Sequence, residues 1–338
     1  LKSKTAQGLF WGALSSSSSQ ILNLVIGIIL GRLVSPEDWG VIGMLTIFTA
    51  IAGNIQSSGF STAIINIKYP QHKDYNAVFW FNVITSFLLY ILLFICAPYI
   101  AMFFRVPELK NLSRIVFLSF FISSFGISSN AYMTKNMMNK EITIIGFIAL
   151  ISSGAAGITL AYLGYSYWSL AWQQIVYNLV LVIGRWSYIN WHPTLSFDFN
   201  PIRKTLKFSM SILTTMIINT ISNNILTLLF GRIYGKRTTG HFLQAYKWDS
   251  MAFGMITGML EQVSQPVLVS LRNNSDKERE IRAFRKMIRF ASFLAFPAMF
   301  GLALVAKEFI LITLKHAWID SVLPLQILCI SGAFIPIY

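Results

Sequence analysis

Residues 76–104 read NAVFWFNVITSFLLYILLFICAPYIAMFF, which is 29 residues without a charged side chain. A helix rises about 1.5 Å per residue, so roughly 20 apolar residues cross the hydrocarbon core of a bilayer. The sequence holds nine further apolar stretches, and together they predict an all-α polytopic membrane protein. The ten candidate spans are residues 8–30, 39–67, 76–104, 112–133, 142–163, 168–188, 206–230, 240–269, 287–305 and 322–338.

The composition of the whole chain supports this prediction. Hydrophobic residues make up 55% of the 338 residues and charged residues only 12%, whereas soluble domains average about 25% charged residues. That balance excludes soluble globular, disordered and collagen-like proteins. Long uninterrupted apolar segments also favour helices over the alternating strands of a membrane barrel.

The net charge of +14 would suggest nucleic-acid binding in a soluble protein. Here the basic residues lie mostly in short connectors, so no nucleic-acid partner is predicted. With the N-terminus inside, 17 basic residues fall on the cytoplasmic side and 9 on the outer side. The positive-inside rule therefore places the N-terminus in the cytoplasm.

One cytoplasmic connector, residues 270–286, leads into a basic amphipathic helix. Such a helix suits the headgroups of anionic phospholipids, and a regulatory site is the alternative interpretation. The basic side chains are Arg282, Arg285 and Arg289, and the apolar ones beside them are Ile281, Phe284 and Ile288.

Few residues suit catalysis or metal binding. The two cysteines, Cys96 and Cys329, each lie inside an apolar segment, which excludes a disulfide framework. The four histidines are scattered without the spacing of metal ligands, and no phosphate-binding loop or nucleophile motif occurs. We therefore expect no cofactor, no metal and no enzyme activity.

The connector 190–205 contains His192, Pro193 and Pro201 and is typical of a linker between bundles. It predicts a six-helix bundle over residues 1–195 and a second bundle over 196–338. The chain begins at Leu1 and stops at Tyr338 within an apolar stretch, so the second bundle is predicted to be truncated, with about four spans.

An internal repeat relates the two halves at an offset of 200 residues. LGRLVSPEDWG around the first connector matches FGRIYGKRTTG around the seventh, with Asn23 opposite Asn223 upstream. Six spans separate the copies, so both copies have the same orientation across the membrane. Parallel repeats of this kind predict two bundles that face each other around a central cavity.

Polar residues inside the spans are the candidates for lining such a cavity. Four-residue steps place Ser211, Thr215, Asn219 and Asn223 on one stripe of the seventh span, which faces either another helix or water. In the eighth span, one face carries Lys247, Gly254, Gly258, Glu261 and Gln265. Charged groups in a bilayer normally face protein or water, so this face is the best candidate for a cavity wall.

The same charged residues also allow structural interpretations. Lys247 would snorkel outward to the interface and Glu261 would pair with a neighbouring helix. Asp249 points away from the cavity face, where a structural partner is more favoured. Arg32 and Arg232 end their spans near the outer interface, and snorkelling explains them as well as substrate contact does.

Several motifs together resemble the bacterial polysaccharide flippases of the multidrug/oligosaccharidyl-lipid/polysaccharide exporter superfamily, in its lipopolysaccharide and colanic-acid branch. In chain order they are LGRLVSPEDWGVIGM, SSGFSTAIINIK, APYIAMFF, YWSLAWQQI, LLFGRIYG and QPVLVSL, and they extend over essentially the whole chain. Two features depart from the family pattern. Trp39 replaces a more usual phenylalanine, and NAYMTKNMMNK at 130–140 replaces a more basic segment.

The resemblance implies two six-helix bundles around a central cavity in a bacterial inner membrane. It also implies that the protein moves undecaprenyl-diphosphate-linked oligosaccharide from the cytoplasmic to the periplasmic leaflet, beside polysaccharide polymerase machinery. On this basis we expect cationic groups to bind the diphosphate and amides to bind the glycan, while acidic groups couple to a proton or cation. The expected substrate contacts are Lys247, Arg32, Arg232, Asn23, Asn219, Asn223 and Gln265, and the expected coupling groups are Glu261 and Asp249.

Three other functions fit the sequence less well. A cation-coupled exporter of drugs or metabolites would need an acidic group inside the first bundle. The acidic residues there all fall at span ends, namely Glu37, Asp38, Asp74, Glu108 and Glu141. A membrane glycan polymerase or glycosyltransferase would need a large extramembrane loop or a catalytic acid and base. A purely structural membrane protein is the remaining alternative.

Overall fold

The computed structural model describes the backbone of residues 2–57, 70–195, 200–273 and 277–337. Side chains are described from residue 18 onward within those ranges, except at 57, 200–209, 212, 259–273, 277, 280 and 337. Every regular element in the described part is helical, which confirms the predicted all-α fold.

The helices follow the chain in the order of the predicted spans. They are α1 Lys2–Leu33, α2 Pro36–Gly43, α3 Thr46–Ser57, α4 His72–Phe104, α5 Leu109–Ser124, α6 Ile127–Lys135, α7 Asn139–Tyr162, α8 Tyr167–Tyr188, α9 Asn200–Ile233, α10 Gly235–Asn273, α11 Lys277–Leu304, α12 Ala306–Thr313 and α13 Val322–Gly332. Short 3₁₀ turns occupy His316–Ser321 and Ile335–Ile337.

Six of the described segments are long and apolar enough to cross a membrane. They are Pro36–Gln56, His72–Phe104, Leu109–Lys135, Asn139–Tyr162, Leu213–Ile233 and Ile281–Leu304, and a shorter apolar helix covers Ser18–Leu33. The protein is therefore a multi-pass membrane protein. Each of the ten predicted spans overlaps a helix, although residues 58–67 of the second lie outside the described part.

The fourth predicted span is broken where we expected one continuous helix. The break separates α5 from α6 at Phe125 and Gly126, and two side chains of α8 bind the carbonyl groups that it exposes. Trp186 Nε1 donates to the Phe125 carbonyl at 2.9 Å, and an Arg185 nitrogen donates to the Gly126 carbonyl at 3.2 Å. The Gly126 carbonyl also accepts from the Asn130 backbone N–H at 3.0 Å. The Trp186 bond supplies the Phe125 carbonyl with a donor from within the protein, because water is not available inside the membrane to do so.

The chain divides into two compact units, Leu1–Lys236 and Arg237–Tyr338. In the first unit, α7 packs against α1 and α8, and α5 packs against α4 and α8. Helix α9 belongs to this unit because it packs against α3 and α4. The unit boundary thus lies about one helix beyond the predicted linker at 195, and the assignment of α9 to a second bundle remains a prediction.

In the second unit, α11 and α12 both pack against α13. Trp248 of α10 meets Phe309 of α12 edge-on, with ring centroids 5.2 Å apart. The Trp318 side chain is fully buried in this unit.

Two glycines of α7 provide a matched test of packing in the first unit. A Cβ at Gly154 would lie 2.9 Å from Ile26 Cγ1 of α1, whereas a Cβ at Gly146 would meet nothing within 4 Å. Overpacking costs about 1–3 kcal/mol, so we expect Gly154→Leu to lower the unfolding temperature in detergent. Gly146→Leu should leave it unchanged or raise it, and equal losses in both variants would contradict this packing.

Candidate substrate-binding site

Helix α9 carries a polar stripe that is not packed against its own unit. Thr215, Asn219, Ser222 and Asn223 are all exposed there. Neither Asn219 nor Asn223 has a hydrogen-bond partner in the described part of the chain. An amide offers two donors and one acceptor, so these side chains suit a ligand rich in hydroxyl groups.

The rest of the α9 surface is divided between lipid-like and packed faces. Exposed apolar side chains lie on one side of the stripe, namely Ile218, Ile221, Ile225 and Leu229. On the other side, Asn54 of α3 donates from Nδ2 to the Met216 carbonyl at 3.3 Å and to Thr220 Oγ1 at 2.5 Å. The Asn54 bonds therefore fix how far the polar stripe is rotated.

The repeat partner on α1 is placed differently. Asn23 is exposed, and Arg32 is exposed at the C-terminal end of the helix. Nine residues separate Asn23 from Arg32, so the two side chains lie on opposite sides of α1. Ile26 and Leu30 are buried in a cluster with Ala161 and Leu170, and Leu30 lies on nearly the same side as Asn23 because seven residues separate them. The roles of Asn23 and Arg32 as substrate contacts stay predictions.

The predicted cavity face of α10 has open space at its two described glycines. Lys247 is half-buried, and a Cβ added at Gly254 or Gly258 would meet nothing within 4 Å. Steps of seven and eleven residues bring all three positions to nearly the same side of the helix. Glu261 and Gln265 continue this face in sequence, but their side chains lie outside the described residues.

Asp249 is on a different side of α10 and is 98% buried, with a relative exposure of 2%. Its Oδ1 atom lies against Gly332 of α13 and has no hydrogen-bond partner within the described residues. Burial of an unpaired carboxylate is strongly unfavourable. A proton or a bound cation at this oxygen would offset that cost, and the structural partner that we expected for Asp249 stays a prediction.

The C-terminal end of α9 meets the connector between α4 and α5. The guanidinium carbon of Arg232 lies 5.4 Å from the centroid of the Phe103 ring, a cation–π arrangement. Lys236 Nζ lies 3.2 Å from Glu108 Oε1, and both side chains are partly exposed. A backbone hydrogen bond at Glu108, aided by the Lys236 ammonium, lowers the pKa of this carboxyl group.

A buried polar network links three helices of the first unit. Gln56 Nε2 donates to Ser86 Oγ at 2.9 Å and to the Phe120 carbonyl at 2.8 Å, and Ser123 Oγ donates to Gln56 Oε1 at 3.1 Å. Each amide atom of Gln56 is therefore satisfied inside the protein. We interpret this network as packing between α3, α4 and α5 rather than as a ligand site.

A histidine, a serine and an aspartate meet in the second unit. His241 Nδ1 lies 3.0 Å from Ser321 Oγ, and its Nε2 lies 3.5 Å from Asp320 Oδ2. The arrangement does not present a nucleophile, because Ser321 is fully buried and His241 nearly so. A nitrogen of Arg237 lies 3.8 Å from the same Asp320 oxygen, so the cluster joins α10 to the 3₁₀ turn.

The spacing of polar residues in the sequence predicts the stripes on α9 and α10, but it does not predict the contacts of Asn54 and Glu108. Those contacts join residues that are 128 to 166 positions apart in the chain. Neither Asn54 nor Glu108 belongs to a periodic pattern, so a single sequence contains no signal that pairs them with α9 or with Lys236.

Over residues 29–323 the sequence matches a family described as polysaccharide biosynthesis protein. The chain belongs to this family. An uncharacterized membrane protein in the cps region of Klebsiella pneumoniae is 28% identical over 346 residues, which cover 98% of this polysaccharide biosynthesis protein and 69% of the relative. The lipopolysaccharide biosynthesis protein WzxC of Escherichia coli K12 is 25% identical over 339 residues, which cover 98% of this chain and 68% of WzxC.

The fold is similar to that of the lipid II flippase MurJ in its inward closed conformation, with a TM-score of 0.73 and 16% identity. The likeness covers 97% of this chain and 76% of MurJ. It confirms the predicted fold class, which this polysaccharide biosynthesis protein shares with transporters of the exporter superfamily named above. The chain spans about two thirds of the length of its curated relatives.

The lowered pKa of Glu108 predicts how its stabilising contribution depends on pH. The folded state favours the carboxylate, so the contribution is complete above the ordinary pKa of 4.5 and is lost as the pH falls through the lowered value. We expect Glu108→Gln to lower the unfolding temperature slightly at neutral pH, since exposed ion pairs contribute at most about 1 kcal/mol. The difference from the unmodified protein should shrink below pH 4.5, and a difference that is constant with pH would contradict it.

Proposed function

We propose that this polysaccharide biosynthesis protein is an alternating-access flippase for polyprenyl-diphosphate-linked oligosaccharide. The observation that carries the proposal is the exposed stripe of Asn219 and Asn223 on a membrane helix of a protein in this family. Amides exposed to lipid would each cost several kcal/mol. Their exposure is therefore best explained by a hydrophilic cargo and water beside α9.

The chemistry of the cargo fits the polar and basic residues predicted as its contacts on α1, α9 and α10. A glycan presents many hydroxyl groups, which the amides of Asn23, Asn219 and Asn223 can bind in place of water. A diphosphate carries negative charge, and ammonium or guanidinium groups form strong charge-assisted hydrogen bonds with it. We assign this role first to Lys247, and then to Arg32 and Arg232 at the helix ends.

The coupling of transport to an ion is a further part of the proposal. Asp249 is the described acidic residue that best fits the role, because its buried Oδ1 atom has no hydrogen-bond partner in the described part of the chain. A proton or cation that binds there would remove the cost of the buried charge. Glu261 remains a second sequence-based candidate, and Gln265 remains a candidate glycan contact.

The cellular setting follows from the same proposal. We place the protein in a bacterial inner membrane with its N-terminus in the cytoplasm, near polysaccharide polymerase machinery. Exposed Arg282, Arg285 and Arg289 at the start of α11 would then contact anionic phospholipids of the inner leaflet. The protein acts as a transporter and not as an enzyme.

Replacement of Lys247 tests the proposed diphosphate contact. A charge-assisted hydrogen bond contributes about 1.5–3 kcal/mol, so Lys247→Ala should slow flipping by roughly tenfold or more. Lys247→Arg keeps the charge and should retain most of the activity. The measurement is the protection of a labelled lipid-linked glycan from an external reagent in sealed vesicles, with the unfolding temperature as a check of folding.

Three outcomes would count against the proposal. Unchanged flipping by folded Lys247→Ala would remove Lys247 from the site. A purified protein that moves small cationic drugs but no lipid-linked glycan would favour the exporter alternative. Product formation with a longer or newly linked glycan would favour a polymerase or transferase.

The open glycines of α10 test whether that face borders the cargo. Gly254→Leu and Gly258→Leu place a large side chain where a Cβ meets no atom of the described residues within 4 Å, so folding should be preserved. We expect flipping to fall because the new side chains occupy the space for the glycan. Gly301→Leu on α11 is the matched control, since a Cβ there also meets nothing within 4 Å, and its activity should be unchanged.

A further inference from the structure

Helix α9 contacts the rest of the first unit at two positions along its length, one through hydrogen bonds and one through apolar packing. At mid-helix, the Asn54 amide of α3 donates to the Met216 carbonyl and to Thr220 Oγ1. Near its C-terminal end, α9 closely approaches α4 and Met44, the residue that follows α2, at Gly231. A Cβ at Gly231 would lie 2.9 Å from Phe104 Cε1 and 3.0 Å from Met44 Cγ.

The two attachments are well separated along α9. Gly231 follows Thr220 by eleven positions, and at about 1.5 Å per residue this step spans roughly 16 Å. That is about half the thickness of the hydrocarbon core, which is about 30 Å. A rotation of α9 about the first attachment would therefore displace the second one appreciably.

The attachments also differ in the cost of breaking them. The bonds of Asn54 lie within the apolar part of the helix, where a separated amide and hydroxyl group would find no equivalent partner in lipid. The contacts at Gly231 are apolar packing against Phe104 and Met44. Beyond them, Arg232 lies over the Phe103 ring and Lys236 pairs with Glu108. The Lys236–Glu108 pair is partly exposed, and water readily replaces an ion pair of that kind.

We infer that α9 pivots at the Asn54–Thr220 contact and that the contact of Gly231 with Met44 and Phe104 is a gate, which opens and closes during transport. The inference rests on the proposed alternating access and assigns residues to it. Gly231 allows the helices to close tightly, Arg232 and Lys236 hold the closed position, and Asn54 is a positioning residue that keeps α9 in register.

A reversible disulfide across the gate tests this inference. Met44 Cγ is 3.0 Å from the position of a Cβ at residue 231, and in a disulfide the sulfur of one cysteine lies about 3.0 Å from the Cβ of the other. Met44→Cys and Gly231→Cys, in a protein with Cys96→Ala and Cys329→Ala, should therefore form a bond on oxidation. We expect oxidation to reduce glycan-lipid flipping at least tenfold and reduction to restore it.

A second disulfide with the same geometry serves as the control. A Cβ at Gly184 of α8 lies 2.7 and 3.3 Å from the two Cγ atoms of Ile145 of α7. Ile145→Cys with Gly184→Cys links two helices within the first unit, away from α9. Its oxidation should leave flipping unchanged.

The outcomes separate the gate from the proposed function. Equal flipping before and after complete formation of the 44–231 disulfide would overturn the gate. Failure of this pair to form a bond would show that residues 44 and 231 do not come into contact, and it would overturn the gate as well. If the reduced double-cysteine protein is folded but moves no glycan lipid, and the unmodified protein also moves none, the flippase proposal fails instead.

The pivot has its own readout, which does not depend on activity. Asn54→Leu removes both hydrogen bonds to α9 while it preserves an apolar surface, so α9 should lose its fixed register. We expect the 44–231 disulfide to form at least several-fold more slowly, while the 145–184 disulfide forms at its usual rate. Asn54→Gln can still donate and should restore part of the rate, and unchanged cross-linking in Asn54→Leu would refute the pivot.

Discussion

The lack of hydrogen-bonding partners in the bilayer core is the constraint on which this structure depends. It requires the backbone to satisfy itself, which explains why the described segments that are long enough to cross a membrane are helical. It also requires an interruption to be repaired from within the protein. The break between α5 and α6 illustrates this, since Trp186 donates to the Phe125 carbonyl there.

The same constraint distinguishes structural polar residues from functional ones. Gln56 has a partner for each of its amide atoms and holds three helices together. Asn219 and Asn223 face outward, and Asp249 is buried with an oxygen that has no partner among the described residues. Residues of the second kind cost stability, and the proposed cargo and coupling ion would offset that cost.

Periodicity and composition were sufficient to predict the helices, because both properties are local or add up along the chain. The family was recognised from the resemblance of several motifs taken in chain order. The apolar stretch at 76–104 became α4, and the steps of four through Asn219 and Asn223 correctly grouped a polar stripe on α9. Breaks were harder to predict. The break at Gly126 depends on side chains of α8, which lie about 60 residues away in sequence.

Contacts between distant helices were not predictable from one sequence. Asn54 and Glu108 looked like ordinary polar residues at their positions, and only the fold reveals that they hold α9 and Lys236. For Asp249 the sequence indicated the residue but not its surroundings. Its position on the helix was anticipated, but the closeness of Gly332 and the lack of a partner for Oδ1 depend on how α13 packs.

The packing of α9 on α3 and α4 also bears on how the protein is made. The compact unit that ends at Lys236 is continuous in sequence, so all of its helices leave the ribosome before α10 does. Domains generally fold as units, with the N-terminal one first during synthesis. The docking of α9 would thus complete an assembly intermediate in the membrane, onto which the later helices are added.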